Sequence, residues 1–325
     1  MMGAKVDTRR VLIFLAFAFG IAWATGLVVY LTGGSENSPE LIPGTPITLA
    51  LVLVAVFYMW APAVAHILTR LITREGWQNT YLKPRFRQGW PYWLAAWFLP
   101  AALTIAGGAL FFALFPRYFD SSLRFIRELL AQAEEQAGQP LPITPAMFAA
   151  IQTLQAVLFA PLINSLFTFG EEFGWRAYLQ PKLMPLGGRR AVLLMGLIWG
   201  VWHWPVILMG HNYGLDYPGA PYLGLLMTLW VMTLFAAFLG WVALRGGSVW
   251  PAVIGHAALN GIAGLGQLFT RGEPNPLLGP LPVGLIGSAG FAVLALWIFL
   301  RPGALSERDP ASGEEEPDTL PATPA

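Results

Sequence analysis

The sequence contains no cysteine and few charged residues. Of its 325 residues, 11% are Asp, Glu, Lys or Arg, whereas soluble domains carry about 25%. The absence of cysteine excludes disulfides, a thiol nucleophile and cysteine-based metal sites. The net charge of +1 provides no basic footprint for nucleic acid, so nucleic acid is not an expected partner. These deficits are typical of a chain that lies mostly in a lipid bilayer.

Long apolar runs occupy most of the sequence, which is 56% hydrophobic with a mean hydropathy of +0.57. A helix needs about 20 apolar residues to cross a membrane, and only helices or closed barrels satisfy backbone polar groups in lipid. The sequence therefore predicts an all-α, polytopic integral membrane helical bundle of about eight transmembrane helices. The first apolar run is long enough to be a retained span rather than a cleaved signal peptide. The predicted spans are 11–32, 45–72, 91–115, 146–179, 190–209, 221–244, 250–269 and 282–300.

Charge placement predicts the orientation and the domains. With eight spans, the excess Lys and Arg fall on one side, which places both termini in the cytoplasm of a prokaryotic cell. Residues 1–145 hold three spans and a segment, 121–137, predicted to be an interfacial amphipathic helix or a solvated connection. Residues 146–305 form the membrane core that carries the polar motifs. Residues 306–325 are acidic and rich in proline, which predicts a disordered tail.

The segment EEFGWR places two carboxylates and an arginine in an apolar and aromatic surrounding. On a helix, Glu172 and Arg176 share a face, which predicts an ion pair. Glu171 points elsewhere and is left free to act as a general base. Ionisable groups at membrane depth usually serve function, although a structural ion-pair network at a helix end is the alternative.

Later spans carry further polar residues. His203 lies within LIWGVWHWPVIL, and His256 and Asn260 lie four residues apart on one side of a helix. Two such donors could hold a developing oxyanion, while hydrogen bonding between helices is the alternative. His66 is interpreted as a packing or interfacial residue and His211 as a loop residue. The sequence has neither HExxH nor GxSxG, two signatures of other protease classes.

Three motifs in order, EExxxR, aromatic-xxx-His and HxxxN, give the chain a family resemblance. Together they resemble the CAAX prenyl endopeptidase and bacteriocin-processing (CPBP, or Abi) family of intramembrane proteases. The second motif usually begins with Phe, and Trp stands there in this sequence. The matching residues are Glu171, Glu172, Arg176, Trp199, His203, His256 and Asn260.

The resemblance implies a membrane endopeptidase. Glu171 and His203 would activate a water, and His256 and Asn260 would stabilise the tetrahedral oxyanion. The two remaining charged residues of the motifs would position the site; they are Glu172 and Arg176.

No cofactor is favoured, because Asn is a poor zinc ligand but a good oxyanion donor. The alternative is a Zn²⁺ ion with ligands among Glu171, His203 and His256. The implied substrate is a membrane-embedded or lipidated peptide or protein, with the lipid bilayer as the second partner. Two other interpretations stay open. One is a non-catalytic scaffold or bacteriocin self-immunity protein of the same fold, and the other is a transporter that uses these residues as a proton relay.

Overall fold

The fold is entirely helical in the part of the chain that the structure describes. A computed structural model describes residues 5–35 and 37–306 and is 69% helical with no strand. This confirms the predicted all-α class. The predicted disordered tail, apart from its first residue, lies outside the described residues.

Helices of very different lengths follow one another along the chain. Short helical turns connect several of them, and α2 includes a π-helical turn at Val54–Tyr58. The main helices are α1 Thr8–Leu31, α2 Leu49–Thr73, α3 Phe86–Leu114, α4 Arg124–Ala137, α5 Pro145–Leu158, α6 Ser165–Gly174, α7 Gly188–Trp202, α8 Trp204–Leu208, α9 Tyr222–Gly246, α10 Trp250–Ile262 and α11 Ala289–Leu300.

Five described helices are long and apolar enough to cross a membrane. They are α1, α2, α3, α9 and the stretch Trp250–Phe269, which extends α10 by a 3₁₀ turn. The three other predicted spans lie on interrupted or shorter helices. The predicted span 146–179 is broken between α5 and α6, and the predicted span 190–209 is broken at His203. The last span is helical only from Ala289 onwards. The chain is therefore a helical membrane protein with irregular backbone inside its later half.

Proline accounts for one of these interruptions. Pro205 has no N–H to donate, so the helix cannot continue unbroken through α7 and α8. The backbone N–H of His203 instead bonds to the carbonyl of Gly200 in a tight turn. Irregular backbone at membrane depth is tolerated where protein surrounds it or where it lines a cavity. The break therefore places His203, which is half-buried, where protein or a cavity adjoins the irregular backbone.

The amphipathic segment folds as predicted. Helix α4 buries Ile126 completely and Leu130 nearly so, while four of its charged residues stay exposed, namely Arg124, Arg127, Glu128 and Glu135. These two side chains pack with Ala149 of α5, and Leu268 covers the same cluster from the end of the α10 segment. Helix α4 thus caps one end of the bundle next to α5 and α10.

Candidate functional site

Helix α6 carries the two glutamates of the EEFGWR motif and lies unusually close to α2, and Trp175 and Arg176 follow it in the π-helical turn Trp175–Leu179. A Cβ atom at position 174 would sit 2.4 Å from the Cβ of Pro62, and one at position 170 would sit 2.8 Å from the carbonyl oxygen of Met59. Only glycine allows the two helices to approach so closely. The approach leaves the side chains of Glu171 and Glu172 within protein, 3% and 0% exposed.

Glu172 is the centre of a buried charged cluster. Its Oε1 accepts a hydrogen bond from Nη1 of Arg176 at 2.9 Å and one from Nδ1 of His256 at 2.8 Å. The ion pair predicted from the four-residue spacing is therefore present. The bond to His256 joins α6 to α10, which the spacing could not predict. Burial of this pair makes the loss of either partner costly, because an uncompensated charge would remain.

Glu171 belongs to a second cluster. Its Oε2 accepts a hydrogen bond from the indole Nε1–H of Trp199 at 2.8 Å. The backbone carbonyl of Trp199 lies 2.8 Å from Nδ1 of His203. A carbonyl only accepts, so this Nδ1 carries the proton and the Nε2 of a neutral ring keeps its lone pair. Trp199 thus connects Glu171 to His203, because its side chain bonds to Glu171 and its backbone carbonyl bonds to His203.

The ring of Trp199 also joins the two clusters. The guanidinium of Arg176 lies over the indole, with its carbon 4.4 Å from the ring centroid. The imidazole of His256 meets the same ring edge-on, with centroids 5.3 Å apart. Cation–π contacts of this kind are worth up to about 2 kcal/mol where water is excluded. One tryptophan therefore contacts four of the polar residues that the motifs single out.

Asn260 is the one motif residue that the structure does not draw into these contacts. It follows His256 by one helical turn of α10, but its side chain is exposed. It makes no hydrogen bond with another residue of the described ranges. Its amide is therefore available to a bound molecule rather than committed to packing.

The donor set for a metal ion is not assembled. Among residues 5–35 and 37–306, no three His, Cys, Asp or Glu side chains are grouped so that they could hold a metal ion. In this arrangement Glu171 faces an indole N–H and His256 faces a carboxylate. The zinc alternative would require a rearrangement of these side chains.

His66, interpreted from the sequence as a packing or interfacial residue, packs against the rings of Phe173 and Tyr178 beside the motif. This residue is fully buried, and its Nδ1 lies 2.8 Å from the carbonyl oxygen of Phe173, directly after the two glutamates. Its Nε2 accepts a hydrogen bond from Nε of Arg70 at 2.6 Å. Because arginine only donates, Nε2 is unprotonated and Nδ1–H donates to Phe173. The spacing of four between His66 and Arg70 was the available signal.

Glu75 lies just after the end of α2, outside the spans, and links the helices around His66. It pairs with Lys182 and accepts a hydrogen bond from the hydroxyl of Tyr178 at 3.0 Å. Arg10 of α1 and Arg70 of α2 lie 3.4 Å and 3.9 Å from its oxygens. Burial by itself would raise its pKa, but Lys182 and the other donors outweigh burial, and the pKa of Glu75 lies below its usual value.

Comparison with known protein families agrees with this geometry. Residues 145–262 match the family model described as "Type II CAAX prenyl endopeptidase Rce1-like". The match covers less than half of the chain, and it includes all seven motif residues. Over this part of the chain it agrees with the resemblance that the motifs show, and it supports a CAAX-type intramembrane protease in general. No curated protein matched the chain at a significant level.

Proposed function

We propose, from the Rce1-like match of residues 145–262 and the two clusters joined by Trp199, that the protein is a glutamate-type intramembrane endopeptidase. The observation that carries the proposal is the set of contacts that Trp199 makes: its indole N–H bonds to Glu171, its backbone carbonyl to His203, and its ring contacts Arg176 and His256. Its substrates would be membrane-associated or lipidated peptides and proteins. We place the protein in a prokaryotic cell membrane with both termini cytoplasmic, as the distribution of Lys and Arg indicates.

The first step uses Glu171 and His203. One oxygen of Glu171 is held by Trp199, and the other makes no hydrogen bond within the described residues, so it can accept a proton from water. The Nε2 lone pair of His203 accepts a hydrogen bond from the same water. As the water oxygen bonds to the carbonyl carbon of the peptide, its proton passes to Glu171 and the carbonyl oxygen becomes an oxyanion.

The oxyanion would be held by His256 and Asn260. Because Nδ1 of His256 donates to Glu172, a second donor at Nε2 requires an imidazolium ring. Glu172 would supply the opposite charge next to that ring, and Arg176 holds the carboxylate of Glu172 in place. The tetrahedral adduct then collapses as the C–N bond breaks and Glu171 returns its proton to the leaving amine. The products are a carboxylic acid and an amine, and the step needs no metal.

The test is cleavage of peptides by the purified full-length protein in lipid nanodiscs. The probe is a set of quenched-fluorescence peptides, each made with and without an S-farnesyl cysteine. We expect Glu171→Gln to reduce the cleavage rate by roughly 10²–10⁴-fold, the usual contribution of a general base. The control is Glu128→Gln, which changes an exposed glutamate on α4 and should leave the rate unaltered.

A chelator separates the two mechanisms. Cleavage that depends on Glu171 and survives the chelator supports the proposal. Cleavage that the chelator abolishes and added zinc restores would replace it with the zinc alternative. If neither wild type nor variant cleaves any probe, the non-catalytic scaffold becomes the better interpretation.

A further inference from the structure

A groove opens between α5 and the end of the α10 segment, beside the proposed catalytic residues. Its volume is about 230 Å³, which is too large for one or two waters and suits part of a chain-like ligand. Small residues form much of its lining, so a main chain could approach closely. The residues that matter here are Gln152, Gln155, Ala156, Ala160, Gly261 and Gly264.

The groove continues from the site past the end of α10. His256 and Asn260 lie four residues apart on the same side of α10, and Gly264 follows four residues later in the turn between Ile262 and the 3₁₀ turn that begins at Leu265. The rise along a helix separates His256 from Gly264 by about 12 Å. An extended peptide covers that distance with about four residues. A substrate whose scissile bond lay at His256 would therefore reach the groove about four residues away.

Two glutamines show what the groove would hold. Gln152 and Gln155 lie three residues apart on the otherwise apolar α5, and both are exposed. Neither side chain hydrogen-bonds to another residue in the described part of the chain. Amide groups without partners are costly in an apolar surrounding. Each amide offers a donor and an acceptor, which is the pattern that a peptide backbone needs.

We propose that this groove binds an extended segment of the substrate, about four residues from the scissile bond, through main-chain hydrogen bonds to Gln152 and Gln155. The inference rests on the proposed function and specifies how that site holds its substrate. A lipid chain in the groove would leave both amides unpaired, which is why a peptide is the better occupant. Gly264 has open space where a side chain would project, so the groove floor can be altered without a clash.

The absence of cysteine in the chain makes a direct binding test possible. Gly264→Cys introduces the only thiol, and its alkylation by a maleimide is measured in the Glu171→Gln background, where the probe is not consumed. The probe is the unlipidated quenched peptide at saturating concentration. We expect it to slow alkylation by about tenfold. The matched control is Gly20→Cys on α1, where a glycine also has open space beside it, and the peptide should not protect it.

Two outcomes of this test overturn the inference. Equal alkylation rates with and without peptide would show that the groove is empty when substrate is bound. Protection by free S-farnesyl cysteine, with none by the unlipidated peptide, would show that the groove holds a lipid chain. Because the test measures protection and not turnover, it reports on the groove even if the protein proves to have no protease activity.

A kinetic test examines the amides themselves. We expect Gln152→Met together with Gln155→Met to raise KM about tenfold and to leave kcat within about twofold. N-methylation of the substrate at the fourth residue from the scissile bond should raise the KM of the wild type by a similar factor. It should raise the KM of the double variant little further. The control is Gln132→Met, an exposed position on α4. An unchanged KM, with cleavage still dependent on Glu171, refutes the groove and leaves the protease intact.

Discussion

At the scale of single residues, Trp199 determines how the polar groups of the site meet. Its indole N–H donates a hydrogen bond to Glu171, and its backbone carbonyl accepts one from His203. Its ring contacts the guanidinium of Arg176 and the imidazole of His256. A phenylalanine, the usual residue of the family at this position, would keep the ring contacts but could not donate to Glu171. The indole N–H is therefore a feature of this chain that changes how its glutamate is held.

Trp199→Phe tests the value of that hydrogen bond. A hydrogen bond to a charged group contributes about 1.5–3 kcal/mol, and its loss frees Glu171 to rotate. We expect kcat to fall roughly 10- to 100-fold while KM stays within about twofold. The control is Trp230→Phe, which removes an indole bond to Ser288 away from the site. An unchanged kcat in the first variant would mean that Glu171 needs no help from the indole.

At the scale of helices, the contact between α2 and α6 places the EEFGWR motif. Gly174→Ala would push a methyl group against the backbone and ring of Pro62, at about 2.4–2.5 Å. Overpacking of this kind costs about 1–3 kcal/mol. We expect a lower Tm and a lower cleavage rate, measured on the same preparation. Gly20→Ala is the control, because nothing lies within 4 Å of its added methyl and alanine favours a helix. A Tm no lower than that of the control would contradict the argument.

Hydropathy predicted the helical class and the five helices that are long and apolar enough to span, because a span requires a long apolar run. Averaging over about 20 residues hides the break at His203, and the local signal for that break was Pro205, which has no backbone N–H to donate. The helix α4 was predicted from the helical spacing of apolar residues in segment 121–137, because the residues that form its buried face are close together in the sequence. The long fourth span proved to be several helices, of which only α6 carries the two glutamates.

The site was predictable where its contacts are local. The pair of Glu172 and Arg176 follows from a spacing of four on one helix. The bond from His256 to Glu172 and the bond from Trp199 to Glu171 cross between helices, and no spacing within one helix encodes them. His66 was assigned to packing for the same reason, because its acceptor is a backbone carbonyl on another helix.

At the scale of the whole molecule, Glu75 joins three separate parts of the chain. Because its pKa in the folded protein lies below the ordinary 4.5, the ionised carboxylate stabilises the fold above that pH. The contribution is lost as the pH falls through the folded value. We expect Glu75→Gln to have a lower Tm than the wild type near neutral pH, with the two values converging in acid. A Tm difference that is constant between pH 3 and 7 would contradict this assignment.

Helix α1 is packed against residues that lie far along the chain. The carbonyl of Ala18 accepts a hydrogen bond from Trp202 across 184 residues, and the ring of Phe14 meets that of Trp175 at 5.5 Å. The ribosome makes α1 well before these aromatic residues. During synthesis α1 is therefore in the bilayer before Trp175 and Trp202 have been made. The two glutamates likewise enter the bilayer before Trp199 and His256 have been synthesised. A nascent chain has no means of hydrolysing peptides, and the proposed activity begins only when translation has passed α10.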